Sequence, residues 1–139
     1  MWSHEYVAET PLSPVAIWRV LRDLDHWVDW DTSMERGEIL GLFRVGTKVS
    51  MTPKCQGPIV STIAEAVENE RYADECQMDG LTPRFRHTLP PLPGGGTRIA
   101  HRLEIRGPAA DRVGPELGPA ITGDFPAAMA ALMGVADRG

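Results

Sequence analysis

The chain has 139 residues, of which 42% are hydrophobic and 24% are charged. This balance suits one globular domain that builds its core without disulfides or bound metal. Its formal net charge of -5 argues against nucleic acid as a partner, because phosphate binding requires clustered lysine and arginine. We therefore expect a single domain over residues 1–139 that has no nucleic-acid partner.

The sequence also bears on cellular location. Its start, MWSHEYVAET, has neither the basic residues nor the apolar run of a signal peptide. The two cysteines, Cys55 and Cys76, are too few for a disulfide framework and indicate free thiols in a reducing compartment. No apolar stretch is expected to reach membrane-spanning length. These features predict a cytoplasmic protein without stable membrane insertion.

The first part of the chain predicts one strand and two short helices. The strand covers residues 2–10, although its alternation is irregular. Ser13 followed by Pro14 is typical of a helix N-cap and first helical residue. The apolar face of that helix repeats at helical spacing through Ile17, Trp18, Leu21 and Leu24. Residues 25–31 then predict a second short helix or turn that carries two tryptophans.

From Met34 onward the apolar residues recur at every second position, which is the period of a strand. Turn signals rich in glycine, proline and asparagine divide this region. Six strands are predicted, at residues 35–40, 47–52, 59–67, 72–78, 84–89 and 97–106. Short strands with short connections are typical of an antiparallel sheet.

The C-terminal part returns to helical spacing. Its apolar face comprises Leu117, Ile121, Phe125, Met129, Leu132 and Met133. Pro119 and Pro126 lie inside this pattern, and each removes one backbone hydrogen bond from a helix. We therefore expect a long helix ending near Arg138 that is bent or broken and is best formed after Phe125.

The order of these elements predicts an α+β fold. Seven antiparallel strands would form a curved sheet wrapped around the long C-terminal helix, with two short helices after the first strand. Such a sheet leaves space between itself and the helix, which is a natural site for an apolar ligand.

Four stretches of the sequence carry a resemblance to a known superfamily. They are SPVAIWRVLRDLDHWVDWD at residues 13–31, VGTKV at 45–49, FRHTLPPLPGGGTRIAHRLEIRGP at 85–108, and the helix that contains Asp124-Phe125-Pro126 and Leu132. In this order they resemble the START-domain and pollen-allergen helix-grip (SRPBCC) superfamily, and most closely its bacterial branch of polyketide cyclase/dehydrase-like proteins. The resemblance implies the helix-grip fold.

The resemblance is less specific about activity. Members of the superfamily bind lipids, sterols, polyketides, quinones or plant hormones, and some catalyse aromatic ring closure or dehydration. The matching motifs are structural, so they imply no catalytic residue and no cofactor for this chain.

Two histidines on the predicted concave face of the sheet are candidates for chemistry. In the last strand the charged residues alternate with apolar ones, so His101 is expected to face inward. The preceding strand places His87 on the same face. If the hairpin is symmetric about Gly94, His87 lies directly opposite His101, with Cβ atoms roughly 5 Å apart.

Asp74 completes the predicted cluster. By its position in the alternation, Asp74 lies on the apolar face of its strand, and a turn centred on Gly80-Leu81 would bring it alongside His87. Three interpretations of the Asp74–His87–His101 cluster compete. It is a satisfied structural network, a polar anchor for a ligand hydroxyl or carbonyl, or an acid/base group of the kind that aldol cyclisation or dehydration requires.

A stoichiometric metal ion is not expected. The sequence contains no HxH, HExxH or CxxC spacing. The histidine pair would also need a third ligand, for which Cys76 or Asp74 is the only nearby candidate.

We expect the cavity to hold a hydrophobic small molecule of lipid-, polyketide- or quinone-like character. The residues expected to contact it are Met51, Ile59, Tyr72, Asp74, Cys76, Phe85, His87, His101, Leu103, Ile121, Phe125 and Met129. The first hypothesis is a non-enzymatic binding or carrier protein. The second is a polyketide cyclase or dehydratase that uses His87, His101 and Asp74, and the third is an interaction domain with a filled core. The sequence leaves the oligomeric state open.

Overall fold

The fold, seen in a computed structural model that describes residues 1–139, is a seven-stranded sheet with helices packed on it. The first elements are β1 (Trp2–Thr10), α1 (Pro14–Leu21) and a 3-10 helix (Leu24–Asp29). The other strands are β2 (Met34–Ile39), β3 (Lys48–Pro53), β4 (Ile59–Val67), β5 (Arg71–Glu75), β6 (Thr82–Thr88) and β7 (Thr97–Arg106). Two helices follow, α2 (Ala110–Thr122) and α3 (Phe125–Arg138).

The strands pair antiparallel throughout, in the order β1-β7-β6-β5-β4-β3-β2. Only the contact of β1 with β7 joins strands that are distant in sequence. The predicted α+β fold with a curved seven-stranded sheet is therefore confirmed. The bounds of β1, β4 and β7 coincide with the predicted ranges, and the other strands differ from theirs by a few residues.

The cap predicted for α1 is present. The Oγ atom of Ser13 accepts a hydrogen bond from the backbone N–H of Ala16 at 3.2 Å, and Pro14 occupies the first turn. This satisfies one of the donors that a helix start leaves unpaired. The buried face of α1 is formed by Ile17, Trp18 and Leu21.

The C-terminal helical region is broken, as its prolines predicted. Helices α2 and α3 are separated at Gly123 and Asp124, and Pro126 lies in the first turn of α3, where its missing N–H leaves no hydrogen bond unmade. Helix α2 begins at Ala110, ahead of the predicted apolar run that starts at Leu117.

Contrary to the expectation from the sequence, residues 110–138 together are long and apolar enough to cross a membrane by length and composition. In this structure the stretch is divided between α2 and α3, and Phe125, Met129 and Leu132 are buried against the rest of the fold. The core helix of a soluble protein passes the same test, so the length alone is weak support for insertion.

Two groups of buried side chains form the core. The larger group, which includes Trp27 and Met129, is contributed by α1, the 3-10 helix, the sheet and α3. The smaller group surrounds Phe125 and Leu103 and includes the start of α2. Residues of both groups, among them Trp27 and Phe125, border an internal cavity.

Candidate functional site

A cavity of about 660 Å³ lies between the sheet and the C-terminal helices. Small-molecule sites in proteins typically measure roughly 300–1,000 Å³, so this space can hold a small organic ligand. Its wall is formed by the end of the 3-10 helix and the loop after it, by strands β2 to β7, by α2 and by the start of α3. A cavity of this size is at odds with the filled core of the third hypothesis.

Nine of the twelve residues predicted to contact a ligand line this cavity: Met51, Ile59, Asp74, Cys76, Phe85, His87, His101, Ile121 and Phe125. The other three are fully buried in the core: Tyr72, Leu103 and Met129. They lie on the predicted side of their elements, but neighbouring side chains cover them. Tyr72, for example, lies against the rings of Trp27 and Phe43, with ring centroids 5.4 and 5.9 Å away. Ligand contact by the nine stays a prediction.

Two carboxylates that line the cavity, Asp31 and Asp124, were not predicted from the sequence. Asp31 directly follows Trp30 after the 3-10 helix, and Asp124 directly precedes Phe125 between α2 and α3. The sequence did contain a signal for both residues: each is a charged residue at the end of a helix, next to an inward-facing aromatic residue.

His87 and His101 lie directly opposite each other on β6 and β7, as predicted. Their ring centroids are 4.4 Å apart and their planes are nearly perpendicular, at 83°. Only 7% of His87 and 2% of His101 is exposed. Neither ring nitrogen of His87 has a hydrogen-bond partner in the protein, and Nε2 of His101 has none either.

Burial determines the protonation of this pair. It lowers the pKa of His101 to about 4. Burial, with added repulsion from His101, lowers the pKa of His87 well below its usual range. Both imidazoles are therefore neutral at neutral pH, and each has one nitrogen that donates and one that accepts.

Asp74 lies on the concave side of the sheet as predicted, but it is not paired with His87. In the register of β5 and β6, Asp74 is opposite Phe85, and Tyr72 is opposite His87. The hydroxyl of Tyr72 donates a hydrogen bond to Oδ2 of Asp74 at 2.9 Å. The prediction that Asp74 lies alongside His87 is therefore wrong.

The turn between β5 and β6 explains this difference. Met78 and Leu81 exchange two backbone hydrogen bonds, of 2.9 and 3.1 Å, around the two-residue turn Asp79-Gly80. Gly80 has a φ of 72°, and Asp-Gly is a favoured pair in tight hairpin turns because glycine adopts positive φ without strain. The turn is thus centred on Asp79-Gly80 and not on Gly80-Leu81, which shifts the pairing of β5 with β6 by two residues. Each side chain stays on its predicted face but lies opposite a different residue.

The buried carboxyl group of Asp74 has a strongly raised pKa. Burial raises the pKa of Asp74 to about 7, against the hydrogen bond from Tyr72 and with added repulsion from Asp31. A carboxyl group that changes protonation near neutral pH is suited to acid/base chemistry.

Trp30 supplies another unpartnered polar group. Only 2% of this residue is exposed, and its Nε1 has no hydrogen-bond partner in the protein. The neighbouring Trp27, by contrast, donates its Nε1–H to the carbonyl oxygen of Leu21 at 2.7 Å. The Trp30 ring lies 6.3 Å from that of His87 and 6.0 Å from that of His101. Three residues with unpartnered nitrogens therefore adjoin one another at the cavity wall.

The cavity wall carries more carboxyl groups than lysine and arginine side chains. Asp31 accepts hydrogen bonds from the backbone N–H and the hydroxyl of Ser33 at 3.1 and 2.7 Å. Asp124 accepts one from the hydroxyl of Thr32 at 3.4 Å. Burial raises the pKa of Asp31 despite the bonds from Ser33. Lys54 is the one lysine or arginine among the lining residues, and it is exposed.

The cavity does not assemble a metal site. No three His, Cys, Asp or Glu side chains form a group that could hold an ion. Cys76 and Asp74, the candidate third ligands, line the cavity without joining the histidine pair in such a group. That no metal binds in solution stays a prediction, which elemental analysis after dialysis would test.

Solved structures of several proteins share this fold. A START superfamily protein from Mycobacterium smegmatis is 16% identical with a TM-score of 0.76, over 98% of this chain and 97% of that one. A norcoclaurine synthase point mutant from Thalictrum flavum, in complex with a transition-state analogue, is 18% identical with a TM-score of 0.77, over 99% and 94% of the two chains. The same synthase in complex with dopamine and hydroxybenzaldehyde is 18% identical with a TM-score of 0.75, over 96% and 85%. At these identities the likeness shows the fold alone.

A search of curated proteins gave no match to the chain. A family model does match, over residues 1–136, and its description is polyketide cyclase / dehydrase and lipid transport. The match covers nearly the whole chain, and the helix-grip fold of the structure agrees with it. The chain therefore belongs to the polyketide cyclase/dehydrase and lipid transport family of the SRPBCC superfamily.

Proposed function

We propose that this chain is a single-domain binding or carrier protein of the cytoplasm that holds a hydrophobic small molecule in its cavity. The ligand is lipid-, polyketide- or quinone-like, with an apolar body and at least one polar group. The apolar body fills the space between the sheet and α2, and the polar group contacts the nitrogens of the wall.

The observation that carries the proposal is the set of buried, unpartnered nitrogens of Trp30, His87 and His101. A buried polar group without a partner costs about 1–3 kcal/mol, and folded proteins contain few of them. All three residues line one cavity. A ligand that hydrogen-bonds to these nitrogens would remove this cost, and the free energy recovered would add to its binding free energy.

The family and the fold support the same class of function. The description of the family includes lipid transport, and a structure of similar fold was solved with dopamine and hydroxybenzaldehyde. Both support a small organic molecule as the ligand of this chain.

Native mass spectrometry of the protein purified from its own host tests the proposal most directly. We expect a bound organic molecule at one equivalent, and displacement of an apolar fluorescent dye by that molecule. His101→Phe should weaken its binding about tenfold, because one hydrogen bond is lost. His26→Gln, which removes an exposed imidazole, is the matched control and should bind as the wild type does. A protein that carries no ligand and takes up no dye would contradict the proposal.

A second candidate is a polyketide cyclase or dehydratase, which the raised pKa of Asp74 favours. In this role Asp74 would give up or accept a proton near neutral pH, while His87 and His101 would orient the substrate as neutral hydrogen-bonding groups. The change Asp74→Asn separates the two functions, because it should abolish turnover of a polyketide substrate and leave its binding intact. Retained turnover would exclude Asp74 as the acid/base group.

A further inference from the structure

We infer that the cavity selects an uncharged aromatic ligand that carries a hydroxyl group, and that it discriminates against the corresponding carboxylate. The inference rests on the proposed function and specifies the chemical class of the ligand. Three independent features of the wall lead to it: the hydrogen-bonding capacity of the nitrogens, the distribution of charge and the arrangement of the rings.

Only a group that both donates and accepts hydrogen bonds could satisfy the unpartnered nitrogens of the wall residues. The indole N–H of Trp30 can only donate a hydrogen bond. Both nitrogens of His87 are unpartnered, so in either tautomer this neutral imidazole offers one donor and one acceptor. A hydroxyl group accepts and donates at the same time. A carbonyl or a carboxylate only accepts, and it would leave the accepting nitrogen of His87 without a partner.

The distribution of charge disfavours an anion. Asp31, Asp74 and Asp124 all line the cavity. The only lysine or arginine in the wall is Lys54, which is exposed. The imidazoles do not offset the carboxylates, because burial lowers the pKa of each. A bound carboxylate would therefore lie near like charges, and the repulsion is strongest beside the buried Asp74, where water does not screen it.

A cation suits the carboxylates but not the nitrogens. An ammonium group only donates, so it would leave the N–H groups of Trp30 and His87 without an acceptor. Asp74 already accepts a hydrogen bond from Tyr72, and Asp31 accepts two from Ser33. An uncharged hydroxyl is therefore the group that best matches the wall.

The rest of the wall favours a flat apolar body. The aromatic side chains that line the cavity are Trp27, Trp30, Phe85 and Phe125. His101 lies edge-on to Phe125, with ring centroids 6.0 Å apart and planes at 88°. Aromatic ligands pack favourably against such rings in edge-on or offset geometry.

The matched probes 2-naphthol and 2-naphthoate test the inference, because they share a ring system and differ in the polar group. At about pH 7.5 the first is neutral and the second is anionic, and we expect the wild type to bind 2-naphthol at least about tenfold more tightly in calorimetric titration. The double change Asp31→Asn and Asp124→Asn should raise the affinity for 2-naphthoate and leave that for 2-naphthol within about twofold. Asp29→Asn removes a nearby exposed carboxylate that does not line the cavity, so it should leave the ratio unchanged.

A change at Trp30 tests whether its indole N–H donates a hydrogen bond to the ligand. Trp30→Phe keeps a ring in place and removes the indole N–H, so it should weaken 2-naphthol about tenfold without improving 2-naphthoate. Unchanged binding of 2-naphthol by this variant would overturn the assigned contact.

The other outcomes separate this inference from the proposed function. Equal or tighter binding of 2-naphthoate by the wild type overturns the charge selection and leaves the proposed function in place. Tighter binding of the cationic 2-naphthylmethylamine overturns the hydroxyl class, as does uptake of an apolar dye without measurable binding of 2-naphthol. If neither the dye nor any naphthyl probe binds, the proposed function fails as well.

Discussion

Replacing His101 by phenylalanine tests whether the imidazoles of the cavity are held neutral by burial. The residue is 2% exposed, and its ring lies 4.4 Å from that of His87 and 6.0 Å from that of Phe125. A phenyl ring fills a similar space, so the variant should fold. At about pH 7.5 its free energy of unfolding should equal that of the wild type or exceed it by up to about 2 kcal/mol, because an unpartnered buried nitrogen is removed.

The larger effect is on stability in acid. Burial lowers the pKa of His101 to about 4 in the folded protein, from an ordinary value of 6.5. As the pH falls below the ordinary value, the unfolded chain takes up a proton that the folded protein does not, so stability is lost. Between about pH 7.5 and about pH 5, this one group accounts for a loss of about 2 kcal/mol. His101→Phe lacks this imidazole, so its free energy of unfolding should fall by about 2 kcal/mol less than that of the wild type over the same pH range.

Urea unfolding of the wild type and His101→Phe at both pH values measures this difference. Asp74 titrates in the same range with the opposite sign, and comparing the two proteins cancels its contribution. The control is His26→Gln, which removes an exposed imidazole whose pKa is raised by Asp23. The protonated imidazole of His26 stabilises the fold in acid, so removing it should not reduce the stability that the protein loses on acidification. If His101→Phe loses as much stability as the wild type on acidification, His101 is not a buried neutral imidazole.

Three other changes probe the cavity and the sheet. Phe125→Ala should lower the free energy of unfolding by about 2–3 kcal/mol, less than a fully packed phenylalanine, because one side of the ring borders the cavity; a loss outside this range in urea unfolding would contradict that placement. Between about pH 5 and about pH 8 the wild type should lose about 3 kcal/mol of unfolding free energy as Asp74 ionises, because its pKa is raised in the folded protein. Asp74→Asn lacks this group and should not show the loss; a difference between the two proteins that is independent of pH would count against this. Gly96→Ala should cost at least about 1 kcal/mol more than Gly94→Ala. Both glycines have positive φ, but a Cβ at Gly96 would lie 2.5 Å from the carbonyl oxygen of Thr10 and one at Gly94 meets open space; equal losses in thermal unfolding would refute the clash.

The sheet could be predicted because its signals are local. In β7 charged residues alternate with inward-facing ones except at Ala100, so both its bounds and its inward face follow from a period of two. Ser13-Pro14 predicts the start of α1 in the same way, because the capping hydrogen bond and the proline depend only on neighbouring residues. Such features need no knowledge of the rest of the fold.

The cavity could be predicted only in part, because strand parity identifies the face of a side chain but not its depth. Tyr72 shares a face with Asp74 and is nevertheless covered, since Trp27 and Phe43 pack against it from elements distant in sequence. Asp124 lies in a helix connection, where no period reports the direction of a side chain. Depth and connection geometry are set by packing between elements, which a pattern along one element does not contain.

The turn between β5 and β6 determines which side chains face each other across these two strands, and both strands line the cavity. Had the turn been centred on Gly80-Leu81, Asp74 would be opposite His87, and a carboxylate beside an imidazole would raise the pKa of that imidazole and occupy one of its nitrogens. The tight Asp79-Gly80 turn instead pairs Asp74 with the hydroxyl of Tyr72. The histidines are then left neutral and unpartnered, which is the state that can recognise an uncharged hydroxyl. A two-residue shift in this pairing would keep each side chain on its face of the sheet, and it would place the Asp74 carboxylate opposite the His87 imidazole.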